Sequence, residues 1–289
     1  MSLPKISIVV PNYNGGRTIG ATLQSVVDQN YPNLELLVVD GGSTDNSVEI
    51  IRQFEPHITW WTSEKDRGQS HAINKGFARA TGDVVNWLCS DDLLAPNALN
   101  IVGKHFADSP DIDVLVGATT FDFRADGRQQ LWAVDPRDID LIPIYCVFSQ
   151  PSAFFHRKLL DRSPPLDESY HYAMDLELWA YFKSKGARYT VINDVLSTFV
   201  RGEENKTSVG GGKIIDEYVR VYNSYVHERI PLTFWQRHLR FPLERWRGKG
   251  DPPVSFRLIG RPLQMATVLL LGPFYGFRRV RHMNWGMWL

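Results

Sequence analysis

Two adjacent carboxylates interrupt an apolar run in VVNWLCSDDLLAP, residues 84 to 96, where Asp91 and Asp92 follow Trp87 and Leu88. Like charges side by side repel, and burying even one ionised carboxylate is costly. Two arrangements relieve that cost. The pair can cap a turn or a helix ahead of Pro96. Alternatively, it can hold a hard divalent cation, because Mg²⁺ and Mn²⁺ are bound by one or two carboxylates while phosphate oxygens complete the shell. At a strand's carboxyl end, the second arrangement suits a metal–diphosphate site.

The surrounding chain supplies such strand ends repeatedly. ISIVV (6–10), ELLVVD (35–40), HITWWTS (57–63) and DVVNWLCS (83–90) are short apolar, β-branched or aromatic runs that read as buried strands. Between them, RTIGATLQSVVDQN (17–30), NSVEIIRQF (46–54) and SHAINKGFARA (70–80) carry apolar residues at helical spacing. PNALNIVGKHF (96–106) is expected to be a helix with Pro96 in its first turn. Strand and helix alternating over short connections predict an α/β fold with a parallel sheet covered by crossover helices. Ligands of such sheets lie at the carboxyl ends of the strands.

The residues following each strand are therefore the candidates: Pro11-Asn12-Tyr13-Asn14, Asp40, Glu64-Lys65-Asp66, and Asp91-Asp92. Polar or acidic groups stand at all four ends, which says more than any one of them. Asp40 is placed to pair with a base imide or a ribose hydroxyl, and Tyr13 to stack on a base. EKDRGQSHAINKG (64–76) closes a strand and opens a helix, so Asp66, Gly68 and His71 border a helix N-terminus that favours an anion. His71 reads equally as a capping or surface residue.

Beyond residue 110 the texture changes. DVLVGATTFDF and QQLWAV flank Ala125-Asp126-Gly127-Arg128, a hairpin signal. AMDLELWAYFKSKG (173–186) reads as a helix closed by Gly186. RGEENKTSVGGGK (201–213) reads as a flexible loop, either a lid or an ordinary surface loop. A mixed second half on a parallel first half is expected.

The stretches from ISIVVPNYNGGRTIG to VVDGGSTDNS, and from EKDRGQSHAINKG to CSDDLLAPNAL, resemble the family 2 glycosyltransferases. The resemblance runs from about residue 5 to 200, with several separate motifs in the family's order. It implies a GT-A fold, mainly a parallel sheet flanked by helices, and an inverting enzyme that uses nucleotide sugars. It places Pro11 to Asn14 beside the nucleotide and Asp40 on the base. The family's Asp-x-Asp metal motif falls on Cys89-Ser90-Asp91, with a cysteine where the first Asp is expected. A thiol is a poor ligand for Mg²⁺, so Asp91 becomes the main ligand of an Mg²⁺ or Mn²⁺ ion, with Asp92 helping. The catalytic base implied is Asp175 in YAMDLELW, with Glu177 as a fallback, and SQPSAFF (149–155) makes Gln150 an acceptor-side residue. A UDP-sugar is the family's default donor, and the implied acceptor is a saccharide or a lipid-linked hydroxyl.

Composition is consistent with an enzyme of this kind. Of 289 residues, 43% are hydrophobic and 22% charged, enough for a packed core. Cys89 and Cys146 make no CxxC or zinc spacing and are expected to be free thiols in a reducing compartment. The opening apolar run is too short for a secretory leader, and no run reaches the roughly 18 to 20 apolar residues of a membrane span. Net charge is zero, but residues 228–289 hold eleven Lys/Arg against three Asp/Glu, leaving residues 1–227 acidic. Two regions follow: a catalytic domain over 1–227 and a basic, aromatic-rich extension over 228–289. Arg261, Arg278, Arg279, Arg281, Trp285 and Trp288 surround a short apolar core at 265–275. This pattern suits either an interfacial helix on an anionic membrane or a helical pair packing on the domain or on a second subunit. A cytoplasmic protein, peripheral on the inner face of the membrane, is the expectation, and nothing resembles a nucleic-acid module. Two other readings compete: a metal-dependent nucleotidyltransferase, against which stands the lack of a glycine-rich phosphate loop at PNYNGG, and a non-catalytic binder, which Cys89 and Met174 favour as departures from the family pattern.

Overall fold

The structure is a computed structural model describing residues 2–123, 127–201, 212–227 and 253–280, with short pieces between 232 and 246. Residues 202–211 of the glycine-rich loop, Ala125 and Asp126 of the hairpin turn, and Arg281, Trp285 and Trp288 lie outside the described residues.

The β-branched runs form strands buried on both faces. All seven residues of β1 (Ile6–Asn12) are buried, as are six of the seven in β2 (Leu34–Asp40), the burial expected of a parallel sheet covered on both sides. β1 pairs in parallel with β2 and with β4 (Val84–Trp87), and β2 with β3 (Trp60–Ser63). Helices α1 (Ile19–Val27), α2 (Ser47–Gln53) and α3 (Gln69–Arg79) make the crossovers. The apolar side of α1, Ile19, Leu23 and Val26, is fully buried and joins the main core with Ile8, Val10, Leu36 and Val38.

The second half reverses direction. β4 pairs antiparallel with β8 (Ala153–His156), and β8 pairs antiparallel with β6 (Val114–Phe123). β6 runs parallel to the long β9 (Tyr189–Arg201) and forms the predicted hairpin with β7 (Arg128–Trp132). Among the described residues the result is one nine-stranded mixed sheet. The two leucines after the carboxylate pair form an unanticipated strand, β5 (Leu93–Leu94), antiparallel to β9. The helix expected from Pro96 begins later, as α4 (Ala98–Asp108). Asn97 precedes it with φ 64°, a left-handed turn that keeps Pro96 outside the first helical turn.

Beneath the strand ends lies an aromatic cluster. Trp87, the last residue of β4, stacks on Trp179 of α5 (Met174–Ser184) with centroids 5.6 Å apart and planes 14° apart. Phe77 of α3 and Phe155 of β8 meet Trp87 edge-on. One cluster thus fixes β4, α3 and α5 against each other, at a stabilisation of about 0.5–1.5 kcal/mol per ring pair beyond area burial.

The chain divides into two compact units, residues 1–142 with 146–217, and 143–145 with 218–289. The division falls inside α6 (Gly212–Tyr225).

A buried carboxylate ties the first strands at the end opposite the carboxyl ends. Glu35 accepts from Lys5 Nζ at 2.7 Å, Ser7 Oγ at 2.5 Å, and Thr81 N and Oγ1 at 2.7 and 2.6 Å. Burial alone would raise its pKa, but these donors outweigh burial and hold it at about 2, against an ordinary 4.5. A depressed folded-state pKa contributes stability that is complete above the unfolded value and is lost as pH falls toward the folded value. Denaturant titrations should therefore show stability declining between pH 4.5 and about 2. Glu35→Gln should be less stable at pH 7 and lose less over that window; an unchanged acid slope would remove Glu35 from this role.

Candidate active site

The register of the parallel strands sets the site. Asn12 stands opposite Asp40, and Asp40 opposite Ser63, so the carboxyl ends of β1, β2 and β3 are level. Over them and the end of β4 opens a cavity of about 770 Å³. Of the sequence-predicted residues, Pro11, Asn12, Tyr13 and Asn14 line it from β1, Asp66 and Gly68 from the start of α3, and Ser90 and Asp91 from the turn after β4. Tyr13 is 65% exposed, an open ring face suited to stacking. Asn12 is buried and gives its amide to Asp40 at 2.7 Å, while its Oδ1 has no hydrogen-bond partner. A buried acceptor without a donor is costly, and here it belongs to a cavity-lining residue.

Asp40 differs from expectation. It is fully buried and does not line the cavity. Asn12 Nδ2, Ser43 Oγ and N, Ser63 Oγ and Gly42 N all donate to it, at 2.5 to 3.2 Å. Burial would raise its pKa, but the donors from Ser43, Ser63 and Asn12 pull it below the ordinary value. Asp40 is thus the anionic hub that folds the 41–43 turn under the cavity. The carboxylate exposed to the cavity on this side is Asp66. Its Oδ2 lies 2.5 Å from where a Cβ on Gly41 would sit, so only glycine permits that approach. Gly68, with φ 121°, closes the turn that starts α3, and its N–H bonds Asp66 Oδ1 at 2.7 Å. His71 does not line the cavity. Its Nδ1 accepts from Arg67 N, just before the helix, at 3.2 Å.

The carboxylate pair splits its tasks. Asp91 lines the cavity, whereas Asp92 is 2% exposed and accepts from Val200 N at 3.3 Å. Asp92 N bonds Cys89 O at 3.0 Å, which makes the turn tight. Burial, and then the charge of Asp91, push the Asp92 carboxyl well above its usual range, the situation a bound cation reverses. Cys89 Sγ and carboxylate oxygens of Asp91 and Asp92 all lie within 4.8 Å of one another. That donor set fits one divalent cation. The thiol is the one donor of the three that suits Mg²⁺ poorly. Gln69, the first residue of α3, donates to Cys89 Sγ at 3.1 Å and joins the N-terminus of α3 to the turn after β4.

The remaining candidates sit behind this wall. Gln150 is buried and donates to Trp87 O at 2.7 Å. Glu177 is buried in a two-pronged ion pair with Arg162, which occupies both its oxygens. Asp175 lies in the first turn of α5, outside the cavity lining, with Cys146 Sγ 3.7 Å from its Oδ2. Its neighbour Met174 accepts from Ser70 Oγ of α3 at 2.8 Å.

Lys65, one of the strand-end candidates, lines the cavity too, and so does a cation that sequence reasoning missed, Arg17. The signal was available, since Arg17 directly follows PNYNGG. Sequence reasoning also missed Glu217 of α6, whose carboxylate accepts from His171, Tyr172 and Ala173 N at 2.7 to 2.9 Å. Nothing local announces that clamp, because its two sides are more than 40 residues apart.

With the site laid out, the architecture is that of the GT-A glycosyltransferases. It superposes on S. aureus TarS 1-349 with a TM-score of 0.62 at 16% identity, covering 97% of this chain and 90% of that one. It also superposes on the Pyrobaculum calidifontis mannosyltransferase PcManGT, determined with GDP-Man and Mn²⁺, with a TM-score of 0.63 at 21% identity, covering 98% and 85%. Residues 7–174 match glycosyl transferase family 2, and the chain belongs to that family. An uncharacterized glycosyltransferase of Rickettsia typhi is 30% identical over 62% of this chain and 58% of its own length. TuaG of Bacillus subtilis, assigned to teichuronic acid biosynthesis, is 37% identical over 31% of this chain and 36% of its own. The matches thus span little more than half of the first relative and about a third of the second.

The Glu217 clamp gives a direct test. Glu217→Ala leaves three backbone donors around the α5 entry without their acceptor and should cost about 2 kcal/mol in urea denaturation. A loss of only a few tenths would mean that water replaces the carboxylate without penalty.

Proposed function

We propose that the protein is an inverting glycosyltransferase that moves a sugar from a nucleotide-diphosphate sugar to a hydroxyl acceptor, in the synthesis of a cell-surface polysaccharide or glycolipid. One observation carries the reading: a single cavity joins an exposed ring, Tyr13, a carboxylate, Asp66, the N-terminus of α3 and the metal-suited turn at Asp91. Base, ribose, diphosphate and cation each have a partner of matching chemistry there. TarS has been determined in complex with UDP-GlcNAc, and TuaG is named a putative teichuronic acid biosynthesis glycosyltransferase. The first is in keeping with a nucleotide-sugar donor, with a UDP-sugar as the default, and the second with a surface-glycan product.

Tyr13 stacks on the base, and Asp66 with the free acceptor of Asn12 takes donors from the base or the ribose. The N-terminus of α3, together with Arg17 and Lys65, faces the diphosphate. Asp91, with Cys89 and Asp92, would hold a divalent cation, which neutralises the departing diphosphate when bound. Asp175 takes the proton from the acceptor hydroxyl as its oxygen attacks the anomeric carbon from the face opposite the diphosphate. The ion pair of Glu177 with Arg162 leaves Asp175 the better base of the two.

Two outcomes test these roles. Asp175→Asn should lower transfer about a hundred- to ten-thousand-fold with nucleotide affinity unchanged in calorimetry, and near-normal transfer excludes Asp175 as the base. Cys89→Asp should move metal preference toward Mg²⁺, read as the thermal stabilisation each ion gives in the presence of nucleotide. An unchanged preference for Mn²⁺ over Mg²⁺ would show that Cys89 does not touch the ion.

A further inference from the structure

The helix α7 (Arg261–Tyr275) and the π-helical turn before it (Phe256–Gly260) carry their polarity in the unexpected direction. The face turned inward is Phe256, Gly260, Gln264, Thr267 and Leu271, which steps at helical spacing. It includes two polar side chains, Gln264 and Thr267, each 7% exposed. The face turned outward is almost wholly apolar: Leu258, Leu263, Met265, Leu269, Leu270 and Phe274, with Leu270 70% and Phe274 83% exposed. A helix folding onto a core in water puts its apolar stripe inside; this one leaves it outside, and exposed patches of that kind mark an interaction surface.

Charge names the partner. Between residues 253 and 280 the charged residues are Arg257, Arg261, Arg278 and Arg279, with no acidic residue among them. They bracket the apolar face at both ends. A second copy of this chain docked there would set arginine against arginine. A peptide partner would have to be both greasy and acidic along its whole length. An anionic bilayer supplies both features at once, acyl chains for the apolar face and phosphate headgroups for the guanidinium groups. Among the described residues no helix is long and apolar enough to cross a membrane, so this one lies in the interface. Its 15 residues extend about 22 Å at 1.5 Å per residue.

We infer that the outward face of residues 257–277 is a membrane-docking surface that takes an anionic lipid bilayer. Leu269, Leu270 and Phe274 sink below the headgroups, and the arginines stay among the phosphates. The inference stands on the second unit alone and does not depend on the transfer reaction.

The test is co-sedimentation of the full chain with vesicles, comparing equimolar phosphatidylcholine–phosphatidylglycerol with pure phosphatidylcholine. Binding should be strong on the first, weak on the second, and should fall as salt rises. Leu270→Gln combined with Phe274→Gln changes two exposed positions and should weaken binding at least about tenfold, from the apolar area lost. The double variant should keep its melting temperature and its oligomeric state in light scattering. No binding to the anionic vesicles, equal binding by the double variant, or conversion of a dimer to a monomer by the double substitution would each overturn the inference. The last result would assign the face to a second copy.

Discussion

Asp91 and Asp92 are neighbours in sequence, and their carboxylate oxygens stay within 4.8 Å of each other, so burial and the charge of Asp91 push the Asp92 carboxyl up. Asp91 lines the cavity, and Asp92 is buried with Val200 N as its donor. Several contacts hold the turn that keeps the pair in this arrangement. The two-residue strand β5 pins the far side of the pair to β9. Thr22 of α1 donates to Asp92 O at 2.9 Å, and Gln69 reaches Cys89 from α3. A sheet whose strand ends were not level would have no place for a paired carboxylate, a helix N-terminus and an exposed ring around one space.

The acidic groups at the strand ends divide by burial, and burial sets what each can do. Asp40 is saturated with donors and shapes the loop under the site. Asp66, held over Gly41, lines the cavity. Below them the stack of Trp87 on Trp179 transmits the position of β4 to α5, so the turn carrying Asp91 and the helix carrying Asp175 are set by one rigid contact. From the other side, Glu217 grips the chain just before α5. The proposed base is thus placed by the packing and hydrogen bonding of its neighbours, together with its own contacts to Leu176 N and Cys146 Sγ.

Much of this was legible in the residues. The β-branched runs and 3.6-residue spacing marked the first four strands and three helices to within a few positions, because burial on both faces leaves a continuous apolar signature. The ends of those strands then pointed to Tyr13, Asp66 and Asp91. What the sequence withheld was non-local. Asp40 reads as a ligand group until the serines of two other segments are found folded onto it. Glu217 and His171 meet across a stretch that no periodicity spans. Pro96 suggested a helix start, but Asn97 turns left-handed and delays it. The basic tail advertised its charge, while the outward turn of its apolar face depended on which stripe the fold buried, and that stripe is partly polar.

The central claim is that one cavity binds a nucleotide diphosphate through a cation held at Asp91. The most direct measurement is thermal stabilisation of the full chain by UDP, GDP, CDP and dTDP, each with and without Mn²⁺. The account predicts that one nucleotide stabilises the protein, that it does so strongly only with Mn²⁺, and that Asp91→Asn abolishes the metal-dependent part. Equal stabilisation with and without metal, or none by any nucleotide, would contradict it.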